Sequence, residues 1–403
     1  MSEEDALSKV QKYLHRQGID RLSPIARKVE REGPPNRRNV VLVFMESMSA
    51  NLMGTFGSDK KLTPYLDSLY QQSLSFSHFY SSGIHTNHGI YSTLYSFPAI
   101  MKRNAMKGSV IPVYSGLPTV LQENGYCNLF FMTHESQYDN MNAFLRTNGF
   151  DEIYAQENYP SEKVVNSFGV QDDFMYQYAL PILNERAGTG NPFFSVLLSI
   201  SNHPPYVIPP YFHPHSDVLE EQIVEYADWS IRQFMQAAEK QPWFDNTIFV
   251  FLGDHGKMVG TPECEMPQSY NHIPLMIYGK DIKPGVYDGF GGQVDVSPTL
   301  LGLLNISYLQ NNFGVNLLEE ERPCMFFTAD NLIGARDSVN MFIYSPDSQQ
   351  EFKYKLEEGK LHAATGTDEE AFRNLKDYCF SMLQSTESLV KEHKTLDKVS
   401  VKK

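Results

Sequence analysis

Cysteine pairs are missing from this chain of 403 residues. Its four cysteines, Cys127, Cys264, Cys324 and Cys379, lie far apart with no Cys-x-x-Cys spacing. That excludes a zinc ribbon and offers no disulfide framework to read. Positive charge is also short. Against 34 Lys and Arg stand 48 Asp and Glu, a formal net charge of −14, which argues against nucleic acid as a partner. An acidic protein can still take phosphate where a metal or a helix end makes the field locally positive. Long apolar runs are absent: "VVLVFM" and "FFSVLLSI" fall far short of the ~18 residues that a spanning helix needs. The charged first 33 residues hold no apolar core of a signal peptide. Hydrophobic content of 41% and charged content of 20% describe an ordinary globular protein. The length points to a large domain with an appendage.

What the chain does have is alternation. "NVVLVFMES", "YCNLFFMTH", "FFSVLLSISNH", "TIFVFLGDHG" and "HIPLMIYG" are short continuous apolar runs, the pattern of strands buried on both faces. Helical patterns lie between them: "LTPYLDSLYQQS", "GLPTVLQENG", "DDFMYQYALPILNERAG" and "LEEQIVEYADWSIRQFMQAAEK". Strand alternating with helix predicts an α/β domain with a mostly parallel sheet sandwiched by helices. We place it at residues 39–320. Residues 1–38 read as a helical segment of one or two helices closed by the linker "GPPNRRN", where prolines and glycine stop any helix. Residues 321–403 read as a small α+β subdomain, with antiparallel strands in "PCMFFTAD", "VNMFIYSP" and "EFKYKLEEGKLHAA" and one helix from Asp368. Lys9, Lys12, Arg16, Arg21, Arg27 and Lys28 could lie along anionic lipid or coat a solvated helix packed on the core; the second reading is preferred.

Four of the five runs end in chemistry-bearing residues: Glu46, His134, Asn202 with His203, and Asp254 with His255. In an open α/β sheet the ligand crevice lies outside the carboxyl ends of the strands, so these side chains should converge on one edge. The Asp254–His255 pair sits on a Gly-flanked turn, and its O and N donors suit Zn²⁺ or Mn²⁺. Thr86, in "HTNHGIYSTLYSF", opens a helical pattern. It can cap that helix, or present its hydroxyl where helix N–H groups and the dipole favour an anion.

In order, "VVLVFMES", "HTNHGIYSTLYSFP", "SNHPPY", "FLGDHG" and "QVDVSPTLLGLL" resemble the sulfatase-like branch of the alkaline phosphatase superfamily. More narrowly, they resemble its lipoteichoic acid synthase and phosphoglycerol transferase group, over about Asn39 to Asn316. That resemblance implies one divalent metal, Mn²⁺ first with Mg²⁺ or Zn²⁺ possible, held by Glu46, Thr86, Asp254 and His255. It makes Thr86 the nucleophile, His203 the acid/base residue, and His134, Asn87 and His203 contacts of the substrate head group. It implies a phospholipid-like donor, a glycan or lipid acceptor, and transfer through a phospho-threonine intermediate. A hydrolase on the same scaffold (phosphodiesterase, phosphatase or sulfatase-type) and a non-catalytic binding domain are the alternatives.

Two departures matter. The sulfatase pattern C/S-x-P-x-R here reads "TNHGI", and Thr86 cannot become formylglycine. Where the synthases hold glycerol phosphate with a Trp and an Arg, this chain aligns Met141 and Ala143. The resemblance also implies N-terminal membrane helices, so the chain reads as an excised soluble ectodomain from the outer side of a bacterial membrane. His272 is expected to cap or lie at the surface, His85 and His88 to pack or face solvent, and Asp295 to cap the following helix.

Overall fold

Continuous apolar runs have one good solution, the middle of a sheet covered on both sides, and the computed structural model takes it. It describes residues 1–19, 22–357, 359–364 and 369–398. The chain opens with α1 (Glu3–Tyr13), β1 (Arg27–Val29), β2 (Asn39–Met45), α2 (Pro64–Gln72), β3 (Leu74–Tyr80) and α3 (Thr86–Tyr95). Then come α4 (Leu117–Glu123), β4 (Cys127–Met132), α5 (Met141–Thr147), β5 (Glu152–Tyr154), the pair β6 (Val164–Asn166) and β7 (Gly169–Val170), and α6 (Asp172–Ala187). Next are β8 (Phe193–Leu198), α7 (Leu219–Ala238), β9 (Thr247–Gly253), α8 (Gln268–Asn271), β10 (Leu275–Tyr278), β11 (Gly285–Gly292), α9 (Val296–Leu303) and β12 (Tyr308–Gln310). Last come β13 (Met325–Thr328), β14 (Ile333–Arg336), β15 (Asn340–Ser345), β16 (Gln350–Glu357), β17 (Lys360–Ala363) and α10 (Glu369–Lys391).

Eight strands form the main sheet in the order β11-β3-β10-β9-β2-β8-β4-β5. Only β10 runs against its neighbours. The expected mostly parallel sheet between helices is therefore observed, with a small five-stranded antiparallel sheet after it. Period-2 alternation divides the core. Val40, Leu42 and Phe44 pack into one layer with Ile90, Leu117 and Leu300 of α3, α4 and α9. Val41, Val43 and Met45 pack into the other with Leu66, Met175 and Ile223 of α2, α6 and α7. Strands β3 and β11, too polar or glycine-rich to stand out in sequence, extend the sheet at one edge.

The N-terminal segment differs from expectation. One helix ends at Tyr13, and left-handed backbone at His15 and Gly18 turns the chain before Pro24. The remainder forms β1, paired antiparallel with β12. Of the described basic residues, four are engaged within the chain. Lys9 binds Asp377 of α10 at 3.0 Å, Arg16 is buried against the Gln310 side chain and the Gly314 carbonyl, Arg27 grips Glu320, and Lys28 pairs with Glu30. Arg21 and Asp368 lie outside the described residues. Among the described residues no helix is long and apolar enough to cross a membrane.

Asp295 makes no side-chain cap on α9. Its carboxylate accepts from the Gly292 and Val315 N–H groups and from buried Arg322 at 2.9 and 2.5 Å. Arg322 also donates to Phe313 O and to the Tyr378 hydroxyl of α10. A buried acid beside an arginine does better as its counter-ion than as a cap.

Candidate metal centre and active site

Register places the first two ligand candidates. Strands β2 and β9 pair parallel with Met45 opposite Gly253, so Glu46 and Asp254 leave the sheet side by side. Both are buried. Ser47, in left-handed backbone at φ 51°, locks the pair. Its N–H donates to Asp254 Oδ1 at 2.9 Å and its hydroxyl donates to Glu46 Oε1 at 2.6 Å. His255 Nδ1 faces the Gly256 carbonyl at 2.8 Å, which assigns the proton there and leaves Nε2 with its lone pair. That nitrogen lies 3.5 Å from Asp254 Oδ2 and 3.7 Å from Glu46 Oε1.

Each of Glu46, Asp254 and His255 offers one ligand atom within 4.8 Å of the others. Asp254 Oδ2 is buried with no hydrogen-bond partner. Burial first, then the facing Asp254 carboxylate, pushes the Glu46 carboxyl well above its usual range. Two buried carboxylates with no arginine or lysine between them are costly. A divalent cation among these O and N donors removes that cost, so the residues fit the metal that the resemblance implies.

Thr86 arrives from a third element. Strand β3 runs parallel to β9 through the reversed β10, so its loop ends on the same edge. His85 takes the cap position of α3 without a side-chain cap bond. Thr86 is the first helical residue, and its hydroxyl points at Glu46 Oε2, 3.4 Å away. The capping role considered for Thr86 is thus not the one it plays. Close packing holds the helix here: a Cβ on Gly89 would meet Asp254 O at 2.2 Å. Only glycine lets the helix carrying Thr86 lie on the turn carrying the acids.

The other candidates have partners of their own. The Asn87 amide donates to Asp139 at 3.0 Å, and Asp139 also takes Lys107. His134 is buried after β4, its Nδ1 on Glu135 O, and burial lowers its pKa. His203 turns Nδ1 to Pro204 O and packs on the Phe168 ring at 4.2 Å. His85 pairs with Asp330 of the small subdomain at 2.6 Å. His88 is buried against Gly83, its pKa lowered to about 4 by burial and by His85. His272 is not at the surface. It ends α8, donates its backbone N–H to Gln268 O, and stacks on Tyr80, with burial lowering its pKa to about 4. Met141 is wholly buried in the core.

Two residues tied to this neighbourhood escaped the sequence reading. Lys257 follows "GDHG" directly and donates to Asn202 Oδ1 at 2.5 Å, while burial lowers its pKa to about 8. Its position next to the motif was the available signal. Gln293 donates to the Gly253 and Asp254 carbonyls and accepts from Ser82 N–H, tying the acid turn to the Thr86 loop. Nothing in "QVDVSP" distinguishes it before folding.

Comparison with known proteins follows the same lines. A family profile described as Sulfatase matches residues 38–306. The Lipoteichoic acid synthase-like YvgJ of Bacillus subtilis is 25% identical over 319 residues, covering 71% of this chain and 50% of that protein. A lipoteichoic acid synthase of Staphylococcus aureus is 23% identical over 393 residues, covering 86% and 57%. The chain thus spans about half the length of the curated relatives it matches. Among solved structures, a protein in the alkaline phosphatase superfamily from Vibrio parahaemolyticus superposes with TM-score 0.88 at 26% identity, covering 98% and 97%. The lipoteichoic acid synthase LtaP from Listeria monocytogenes superposes with TM-score 0.76 at 22% identity, covering 96% and 98%, a likeness of fold.

Proposed function

The chain belongs to the sulfatase family, whose profile spans most of it, and from that premise we propose a metal-dependent phosphotransferase. It moves a phospho-head group from a phospholipid-like donor to an acceptor hydroxyl on a glycan or lipid, at the outer face of a bacterial membrane. The observation that carries this reading is the buried, unpartnered Asp254 Oδ2 facing His255 Nε2 and Glu46, with the Thr86 hydroxyl against the same Glu46. Glu46, Asp254, His255 and the Thr86 oxygen would hold the metal, Mn²⁺ first. When bound, it supplies positive charge that makes the hydroxyl acidic and the phosphorus electrophilic.

The chain's own groups do the rest. Thr86 Oγ1 gives its proton to Glu46 Oε2, which its hydroxyl faces at 3.4 Å, and attacks phosphorus as the bond from phosphorus to the diacylglycerol oxygen breaks. His203, its Nδ1 occupied by Pro204 O, keeps Nε2 free to give that oxygen a proton. The acceptor hydroxyl then attacks the phospho-threonine ester and loses its proton to the same imidazole, while Thr86 Oγ1 leaves and recovers its proton from Glu46. His134 and Asn87 flank the head group, and the uncapped start of α3 offers N–H groups to the phosphoryl oxygens. Threonine at position 86 excludes the formylglycine route to sulfate esters. Water in the acceptor's place makes the same two steps a phosphodiesterase.

The test uses fluorescent phosphatidylglycerol with and without Mn²⁺. Diacylglycerol release should require the metal and fall by on the order of 10⁴-fold in Thr86→Ala, and mass spectrometry should find a phospho adduct on the Thr86 peptide. Product analysis with and without an alcohol acceptor separates transfer from hydrolysis. Unchanged release by Thr86→Ala would overturn the reading.

A further inference from the structure

Between Asp67 and Glu123 the chain holds no acidic residue, and its only Lys and Arg there are Lys102, Arg103 and Lys107. In a protein of net charge −14, that gathers positive charge in one irregular loop, residues 101–113, after α3. The loop is pinned at two buried side chains, Met106 and Tyr114. Between the pins it turns outward. A Cβ on Gly108 would meet Val110 O at 2.8 Å, so the turn there closes tightly. Val110, at 80% exposure, is the most exposed large aliphatic side chain among the described residues, and Val113 is exposed beside it. The return limb is held in place by the Asn148 amide on Pro112 O and the Thr395 hydroxyl on Val113 O.

Two bonded paths tie this loop to the Thr86 turn. Lys107 pairs with Asp139 at 2.8 Å, and Asp139 accepts from the Asn87 amide. The Lys102 N–H donates to Asp330 O, and the Asp330 carboxylate pairs with His85. His85 and Asn87 flank Thr86 in the sequence, so the loop holds that turn from both sides. The acids bonded to the loop are thereby occupied. Glu392 and Glu123, near its return limb, are held by Lys394 and Lys398. The Lys102 and Arg103 side chains are exposed and have no hydrogen-bond or ion-pair partner among the described residues.

One occupant uses every part of this surface. A soluble anion would engage the cations and leave Val110 and Val113 in water. A bilayer with anionic head groups attracts Lys and Arg, and just beneath them it takes aliphatic side chains out of water. Tyr138, exposed next to Asp139, has the amphipathic ring that favours such an interface. The purpose of the contact rests on the lipid donor proposed above; its test does not.

We propose that the loop 101–113 docks on an anionic lipid bilayer. Val110 and Val113 enter the interface, Lys102 and Arg103 meet lipid phosphates, and the Thr86 turn is held beside the surface that supplies the donor.

The test floats Thr86→Ala protein without divalent metal on vesicles of phosphatidylserine mixed with phosphatidylcholine, so neither turnover nor the metal site contributes. Binding is expected on the charged vesicles, weaker at high salt, and on the order of tenfold weaker on phosphatidylcholine alone. Lys102→Glu combined with Arg103→Glu should weaken it by about tenfold or more, with an unchanged circular dichroism spectrum. Val110→Trp should tighten binding, and the added indole should be quenched by lipids brominated on their acyl chains, above the background of Trp229 and Trp243. Equal binding to charged and neutral vesicles overturns the proposal. So does unchanged affinity in the double variant, or an added indole that bromine does not quench. A fully active Thr86→Ala enzyme would overturn the proposed chemistry and leave this surface untouched.

Discussion

Two of the sites where this protein buries carboxylates are finished differently. At the junction with the small subdomain, Asp295 meets Arg322 through two hydrogen bonds, and the guanidinium is completed by Phe313 O and Tyr378. At the strand ends, Glu46 and Asp254 face each other with Ser47 and His255 beside them and no arginine, and one oxygen has no partner. The first site carries its own cation in the chain. The second is arranged around a charge that the chain does not supply. At the first, a built-in guanidinium holds the acid as structure; at the second, the orphaned oxygen beside His255 fits a divalent cation.

The largest effect should come from supplying the missing charge. Mn²⁺ at 10,000 times its Kd should stabilise the wild type by about 5.5 kcal/mol, seen as a rise in Tm. Asp254→Asn should lose that response without losing the fold; a wild-type Tm indifferent to divalent metal would erase the contrast. Removing the built-in charge comes next. Arg322→Met leaves Asp295 buried and unpaired, and should cost about 3–5 kcal/mol in urea denaturation. Adding Asp295→Leu should recover much of the loss, and failure to recover any would mean that Arg322 acts through packing alone.

A smaller effect tests geometry at the metal end. Gly89→Ala would push α3 off the Asp254 carbonyl and carry Thr86 with it. Displacement of about 1 Å can cost ~100-fold in rate, so kcat should fall by that order while the circular dichroism spectrum stays native. The last test uses another buried acid, Asp228, which accepts from two N–H groups with Arg232 acting on it from a distance. Burial raises its pKa from 3.8 to about 7. A carboxyl raised in the folded state takes up protons on folding, so stability should decline as pH rises from about 4 to 7. Asp228→Asn should flatten the slope of Tm against pH in that window, and an unaltered slope would assign it elsewhere.

Much of this was legible in the linear chain because buried parallel strands leave a blunt signature. β2, β8 and β9 are buried at every residue and read as unbroken apolar runs. The polar residues at their ends followed from the rule for open sheets. The N-terminal segment was legible only as a helix packed on the core, because its charge is spent pairwise, Lys9 on Asp377 and Arg27 on Glu320, in contacts hundreds of residues apart. β3 was missed because "LSFSHFY" alternates too weakly, yet it delivers the Thr86 loop. Lys257 and Gln293 gain their roles only from neighbours that folding brings to them.

By itself the sequence determined the layered α/β architecture and the kinds of donor atom at the strand ends, since both depend on local periodicity and residue chemistry. Only the tertiary structure decided that Met45 lies opposite Gly253, that Gly89 lets α3 rest on the Asp254 turn, and that Asp295 has an arginine while Asp254 has none. Those outcomes depend on register and close approach between distant segments, which no local pattern encodes.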